Sequence, residues 1–406
     1  MARICIVTSG HLCTNPRVWR EADALSEASH EVTVVGICFD PAQADLDRQM
    51  MKTRSWRYRA GADIRGGSIG GMIRRDWYRL RSKLGRVLIS KGRMDPHALG
   101  YAANCLLDAA RNENADLTIV HLEPAFWVGV QMQTAGFRVG ADFEDWHSEN
   151  DWPRGSVGKA GDFLVSLEAQ LMSRAVHTTT TSKALAGALA QTYGGHEPEV
   201  IYNSVRSLPY RPRGSEDGTV RMVWFSQTLG LGRGLEDLFL ALPLLRGDWN
   251  LELRANASPQ MVAWMNEAIP GLLRDRVQLR TVVPPDQLSD VVARHDVGLA
   301  LEVPACRNKD LTASNKIFEY LQSGLVVVAS DTIGQREVLA RVPGAGELYR
   351  SGNPAELATR LNRWLEAPRE LSSLRARIHN EANARLAYER QRPRLLASVE
   401  RALSAG

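Results

Sequence analysis

Four acids and one histidine fall within eight residues, Asp142-Phe-Glu144-Asp145-Trp-His147-Ser-Glu149, at the end of a strand-like run over Arg138–Phe143. Carboxylates and an imidazole gathered at a strand end can exchange protons with a substrate, although an exposed loop also collects acids for solvation alone. A second group, Asn315, Lys316 and Glu319, takes positions i, i+1 and i+4 of a helical pattern, so Asn315 and Glu319 share one face of the first turn with Lys316 beside them. A carboxylate suits a sugar diol and an ammonium at a helix start suits a diphosphate; the plainer alternative is a Lys–Glu surface face. The third group is Leu229-Gly-Leu-Gly-Arg233-Gly-Leu-Glu236. Glycines running from a strand into a helix offer backbone N–H groups to a phosphate, and a guanidinium can clamp it. No G-K-[ST] follows, so this is not a P-loop, and a flexible loop is the alternative. After the first strand, Gly10 lets the backbone approach a ligand and Pro16 opens a helix. His121, ending another strand, is a further candidate, with a structural role the favoured reading.

These groups need a frame. Short β-branched runs alternate with helix-period segments through both halves: Arg3–Thr8, Glu31–Gly36, Leu117–Val120, Arg138–Phe143, Val176–Thr180 and Val200–Tyr202, then Arg221–Phe225, Leu251–Ala255, Val277–Thr281, Val297–Leu301 and Val326–Ala329. Strand, helix, strand at this spacing predicts parallel sheets covered on both faces, an α/β fold of two doubly wound, Rossmann-like domains. Ser204–Thr219, rich in Pro, Gly and charge, reads as the linker. The last helical segment, Leu371–Leu403, contains Pro393, where a kink or break is expected. The 406-residue length agrees with two domains.

Several classes are excluded or demoted. There is no G-x-G-x-x-G and no acid ending the following strand, which demotes a nicotinamide dehydrogenase. The five cysteines are scattered without a C-x-x-C, so neither a disulfide framework nor a zinc site is expected, and a reducing cytoplasm fits. The N-terminal run lacks the pattern of a signal peptide. No stretch approaches the roughly 18 apolar residues of a membrane span, so any membrane association is expected to be peripheral.

The arrangement resembles the GT-B glycosyltransferases, in particular the family 4 group of retaining enzymes. The resemblance runs from "TSGHLCTNPRVWREADALSEASHEVTVV" through "TTTTSKALAGAL", "VIYNSV" and "GRGLEDLFLAL" to "NKIFEYLQSGLVVVASD", the last block being the most specific and "NPRVWREADAL" the next. It implies an acceptor-binding domain over 1–205, a linker at 206–219, a nucleotide-sugar domain over 220–370 and a final helix, 371–406, crossing back, with the two domains facing a cleft. Glu319 would accept hydrogen bonds from the nucleotide ribose, Arg233 and Lys316 would hold the diphosphate with Asn315 beside them, and Gly10 would line the cleft from the other side. Two positions depart from the family pattern. The paired glutamate eight residues before Glu319 is Leu311, leaving Asp310 or Asn308 to replace it, and an arginine of the donor site is Gln227. Similar enzymes carry a histidine facing the anomeric centre; that position is Glu144 here, with His147 three residues on, so the catalytic assignment stays open among Glu144, Asp145 and His147. Such a transferase needs no cofactor and no metal.

The formal charge of +4 hides a polarised distribution: Arg48–Arg93 holds fourteen Lys/Arg against Asp63 and Asp76, a net +12, leaving −8 elsewhere. Within it Ile73–Leu88 has helical period, with Ile73, Trp77, Leu80, Leu84, Val87 and Leu88 in one arc and Arg75, Arg79 and Arg86 opposite. Trp77 and the leucines with those arginines form the pattern of a helix lying on an anionic membrane surface. The alternative is a core-packed helix whose arginines face water; a nucleic-acid partner is not expected, because the acidic remainder offers no extended basic groove. The combined expectation is a retaining transferase moving a sugar from a nucleotide-sugar to a cell-envelope, polysaccharide or lipid-linked glycan acceptor, at the cytoplasmic face of the cell membrane. The alternatives are a catalytically silent nucleotide-binding or scaffolding protein and a nucleotide-sugar epimerase.

Overall fold

The structure is a computed structural model and describes residues 1–66, 69–150, 157–207, 209–210 and 218–404. Of the expected linker, residues 208 and 211–217 lie outside the described residues. The chain forms two compact units, Met1–Ile201 with Arg392–Gly406, and Tyr202–Gln391.

The first unit is built on seven strands: β1 (Arg3–Thr8), β2 (Glu31–Cys38), β3 (Arg57–Asp63), β4 (Leu117–His121), β5 (Val139–Phe143), β6 (His177–Thr180) and β7 (Glu199–Val200). They lie in the order β3-β2-β1-β4-β5-β6-β7, every pairing parallel. Burial on both faces explains their composition, since β4 and β5 are buried at every position. β3 sits at the edge and is mostly accessible. The helix Pro16–Glu27 starts where the Asn15 side chain accepts from the N–H groups of Arg17 and Val18 with Pro16 in the first turn.

The second unit carries β8 (Val220–Thr228), β9 (Trp249–Asn256), β10 (Val277–Arg280), β11 (Val297–Ala300), β12 (Val326–Ser330) and β13 (Gly346–Tyr349), ordered β10-β9-β8-β11-β12-β13 and again all parallel. The fully buried β12 and the amphipathic helix Asn315–Gln322 before it account for the "NKIFEYLQSGLVVVAS" block: Ile317, Phe318, Tyr320 and Leu321 are buried, and Gly324 turns the chain at φ +82°.

The C-terminal segment differs from the expected single helix broken at Pro393. It forms two helices, Pro368–Leu386 and Tyr388–Ser404, separated at the extended residue Ala387. The Tyr388 N–H donates to the Val205 carbonyl at 2.9 Å, drawing the backbone out of helix there. Pro393 follows soon after the second helix begins, where it removes one backbone bond and can be tolerated. The first of these helices is anchored in the second unit by buried Arg375, which reaches Asp296 at 2.8 Å and the Ala293 carbonyl at 2.7 Å. The second helix belongs to the first unit from Arg392 onward.

Candidate functional sites at the two switch points

In a doubly wound sheet the strand order reverses direction at one place, and ligands bind beyond the carboxyl ends of the strands there. In the second unit that place lies between β8 and β11. Beyond β8 the glycine loop folds Arg233 back on the strand end, donating to Ser226 Oγ at 2.8 Å and Thr228 Oγ1 at 3.2 Å while remaining exposed. Gly234 has φ +74°, and a Cβ on it would strike the Leu301 carbonyl oxygen, so glycine is required to press the loop onto the chain leaving β11. Gln227 is exposed at the end of β8.

Beyond β11 stands Glu302, 2.5 Å from Lys316 Nζ. Burial alone would raise the Glu302 pKa, but Lys316 overrides it and lowers it to about 2, so the carboxylate is ionised. The partner of Lys316 is therefore Glu302, and the surface Lys316–Glu319 face is not formed. Glu319 is buried one turn further along the helix and accepts from Ser289 Oγ; Asn315 is exposed at the first helical position. The two residues considered as replacements at Leu311 are engaged locally: Asp310 accepts from the Ile333 N–H at 3.1 Å, and buried Asn308 accepts from Thr312 Oγ1 at 2.7 Å.

In the first unit the order reverses between β1 and β4. Gly10 lies beyond β1 with Leu122 beside it: a Cβ on Gly10 would meet Leu122 Cδ1 at an ordinary 3.5 Å. Leu122, beyond β4, adopts φ +72° and ψ 163°, a region otherwise left to glycine. Behind these loops lies a charged cluster. Arg17 Nε donates to Asp142 Oδ2, its two terminal nitrogens to the carbonyls of Ile201 at 2.5 Å and Thr180 at 3.2 Å. His121 Nε2 lies 2.7 Å from Glu21 Oε2, and its Nδ1 3.4 Å from Asp142. Burial pulls the His121 pKa down, but Glu21 and Asp142 more than reverse it; burial pushes Glu21 up, but His121 and His177 bring it down to about 2. Arg17 and His121 thus each face a buried carboxylate. Glu21, His121 and Asp142 each place a ligand atom within 4.8 Å of the others, a spacing that could hold a metal ion, but a dication would compete with Arg17 for Asp142.

The acidic loop divides in two. Glu144 is partly accessible and accepts from Asn15 Nδ2 at 2.9 Å; burial, reinforced by Asp142 and Asp145 against His121 and Arg17, pushes it up to about 7. Asp145 is half-buried beside it. His147 points the other way. It is buried against Phe126, with ring centroids 5.1 Å apart, and its Nδ1 lies 3.3 Å from Glu123. Burial lowers its pKa, but Glu123, Asp145 and Glu168 outweigh this and raise it to about 10. A buried imidazolium held on Glu123 is suited to donating a proton or a charge rather than to accepting a proton. Glu168 holds the same loop, accepting from the Ser148 N–H at 3.1 Å and from Tyr193 OH at 2.7 Å.

Sequence reasoning missed Arg17, Glu21 and Glu302. The first two had a signal, charges at i and i+4 on the face of Pro16–Glu27 that also buries Val18, Ala22 and Leu25. Of the four residues expected at a membrane, Arg75, Trp77, Arg79 and Arg86, all lie on the helix Ile69–Ser90 in the first unit. Among the described residues no helix is long and apolar enough to cross a membrane.

Residues 245–397 match a family model described as glycosyl transferase-like. No curated protein matches the chain by sequence. Sucrose-phosphate synthase from Thermosynechococcus elongatus is 13% identical, with a TM-score of 0.72 over 100% of both chains. HepE from Anabaena, solved with UDP and glucose, is 16% identical with a TM-score of 0.70, covering 98% of this chain and 100% of that one. A TarM variant from S. aureus in complex with UDP, fondaparinux and α-GlcNAc-glycerol is 8% identical, with a TM-score of 0.70 over 100% of both. The fold is therefore the two-domain α/β fold of the GT-B glycosyltransferases, as the motifs implied, and residues 245–397 carry the glycosyl transferase-like match.

Proposed function

We propose that the protein is a retaining, metal-independent glycosyltransferase that moves a sugar from a nucleotide-sugar to a cell-envelope, polysaccharide or lipid-linked acceptor at the cytoplasmic face of the membrane. The observation that carries this reading is the β8/β11 switch point, where an exposed arginine, a lysine on a displaceable carboxylate and a buried carboxylate stand beyond the strand ends. Arg233 and Lys316 are cations for a diphosphate, and Glu319 is an acceptor for ribose hydroxyls. The complexes of HepE with UDP and with UDP-glucose support a donor of that class.

As the glycosidic bond to phosphate lengthens, negative charge develops on the diphosphate, and cations fixed around it lower the barrier. The acceptor hydroxyl attacks from the leaving group's side, and the departing phosphate oxygen takes its proton. In the acceptor unit Glu144, half protonated near neutrality, can both give and take a hydrogen bond from a sugar hydroxyl, with Asp145 beside it.

A thermal-shift series with UDP, GDP and ADP tests the donor site, because a ligand bound only to the native state raises its unfolding midpoint. One diphosphate is expected to raise it and Glu319→Ala to abolish the rise; a retained shift would mean that the donor site lies elsewhere. Leu311 and Gln227 favour the rival reading of a silent nucleotide-binding protein. Sugar release from a panel of nucleotide-sugars separates the two, since a silent protein releases none, and conversion of the donor without acceptor would indicate an epimerase.

A further inference from the structure

The helix Ile69–Ser90 is mounted with its large apolar residues facing out. On an ideal projection Tyr78, Ser82, Gly85 and Ile89 share the face turned to the protein; Ser82, Gly85 and Ile89 are buried, and Tyr78 OH lies 2.9 Å from Cys105 Sγ. Small residues set this contact, since a Cβ on Gly85 would come within 2.8 Å of the Ala98 nitrogen. Ile69, Ile73, Trp77, Leu80, Leu84 and Val87 fall in one arc well away from that face, each between 45% and 75% exposed. The core-packed alternative is thereby overturned: the helix is held by its small side and presents its apolar stripe to the surroundings.

We propose that this stripe docks on an anionic lipid bilayer, with the helix lying in the plane of the interface. The inference deepens the membrane-associated reading above and is independent of the donor chemistry. Charge selects the occupant. The helix carries six basic residues against Asp76 alone, so a second copy would bring two strongly cationic faces together, whereas anionic headgroups complement them. Geometry also sorts the bases. Arg74 and Arg81 border the stripe on one side, Arg74 donating to the Asp63 carbonyl at 3.2 Å and Arg81 lying 3.5 Å from Asp95, and exposed Lys83 borders it on the other, where its long stem can lie along apolar surface with the charge at headgroup level. Arg75, Arg79 and Arg86 project on the far side; Arg86 turns back to Ser82, 3.4 Å from its hydroxyl, and Arg79 faces Asp76 at 3.8 Å. Those three contribute long-range attraction, and the insertion belongs to Trp77 and the leucines.

Flotation of the full chain with vesicles of phosphatidylcholine, alone or with one third phosphatidylglycerol, tests this without any donor present. The unmodified chain is expected to bind the mixed vesicles at least about tenfold better than the neutral ones, and to lose most of that preference in 0.5 M salt. Leu80→Glu with Leu84→Glu should weaken binding by about 100-fold, and Lys83→Glu should cost more than Arg86→Glu. Unfolding midpoints of the variants check that these exposed substitutions leave the fold intact. Absence of binding to the mixed vesicles, or binding indifferent to Leu80 and Leu84, overturns the proposal. So does a dimer in light scattering that the leucine variant dissolves, which would assign the stripe to a second copy. None of these outcomes bears on the diphosphate thermal shift, so the two readings fail separately.

Discussion

The two switch points share a topology and differ in what their charges face. Beyond β1 and β4 the cations and carboxylates are paired with one another out of reach of solvent: Arg17 with Asp142, His121 with Glu21. Beyond β8 and β11 the cations rest on partners that an incoming anion can replace, Arg233 on two hydroxyls and Lys316 on Glu302. On the proposed reading the same sheet end thus serves in one unit as a structural joint, with Glu144 and Asp145 partly accessible beside it, and in the other as a charged receptor.

The largest effect expected from this contrast is on stability. Arg17→Met leaves Asp142 buried without its cation and should cost about 3–5 kcal/mol, whereas Arg233→Met should stay within about 0.5 kcal/mol of the parent while weakening diphosphate binding. Urea unfolding of both variants, with and without the diphosphate, checks the pair. Equal stability losses would mean that the two joints are built alike.

The glycines give the next contrast. Gly234→Ala meets both the left-handed backbone and the Leu301 carbonyl, and should cost about 2–4 kcal/mol. Gly10→Ala has only ordinary contacts waiting and should be nearly neutral in stability. If Gly10 lines the ligand, the same substitution lowers transfer activity with an unchanged unfolding midpoint; unaltered kinetics would return Gly10 to being a simple turn residue.

The units should also part company with pH. Glu144 is raised to about 7 on folding, so its contribution is complete below its unfolded value and lost as pH rises through 7; that of His121, also raised, is likewise lost as pH rises. Glu21, depressed to about 2, contributes above its unfolded value and fails only in acid. The first unit is therefore most stable at about pH 5, while in the second Glu302, depressed to about 2, imposes no alkaline decline. Hydrogen exchange resolved by unit should show the first loosening between about pH 5 and 8. Glu144→Gln should remove roughly 1–2 kcal/mol of that trend, after discounting for its partial exposure.

How far this contrast is readable in the chain itself depends on distance along it. The interior strands announce themselves as β-branched runs because both of their faces are covered. β3 and β13 do not: "RYRAGAD" and "GELY" lie at sheet edges, where accessible positions relax the demand for apolar residues. Arg233 was singled out from its glycine-rich loop after a strand, and Lys316 and Glu319 from their helical spacing and the family resemblance. Their partners were not, since Glu302 is 14 residues from Lys316 and Asp142 is 125 from Arg17, and only the parallel pairing brings them together. The outward stripe on Ile69–Ser90 was legible as a pattern but not in its facing, which Ser82 and Gly85 decide by allowing close approach on the other side.

The smallest effect is the most discriminating about the receptor. Glu302 is ionised at any working pH and holds Lys316 at 2.5 Å, so a diphosphate that uses this lysine must draw it from the carboxylate. Glu302→Gln keeps the shape and a neutral acceptor while removing the competing charge. Diphosphate binding measured by calorimetry should then tighten about three- to tenfold, roughly 1 kcal/mol, and Lys316→Met should erase the gain. Weaker binding in Glu302→Gln would mean that the carboxylate aims the lysine more than it restrains it. The loop would then be a rigid cradle like the joint of the first unit, and the contrast between the two switch points would narrow to Arg233 alone.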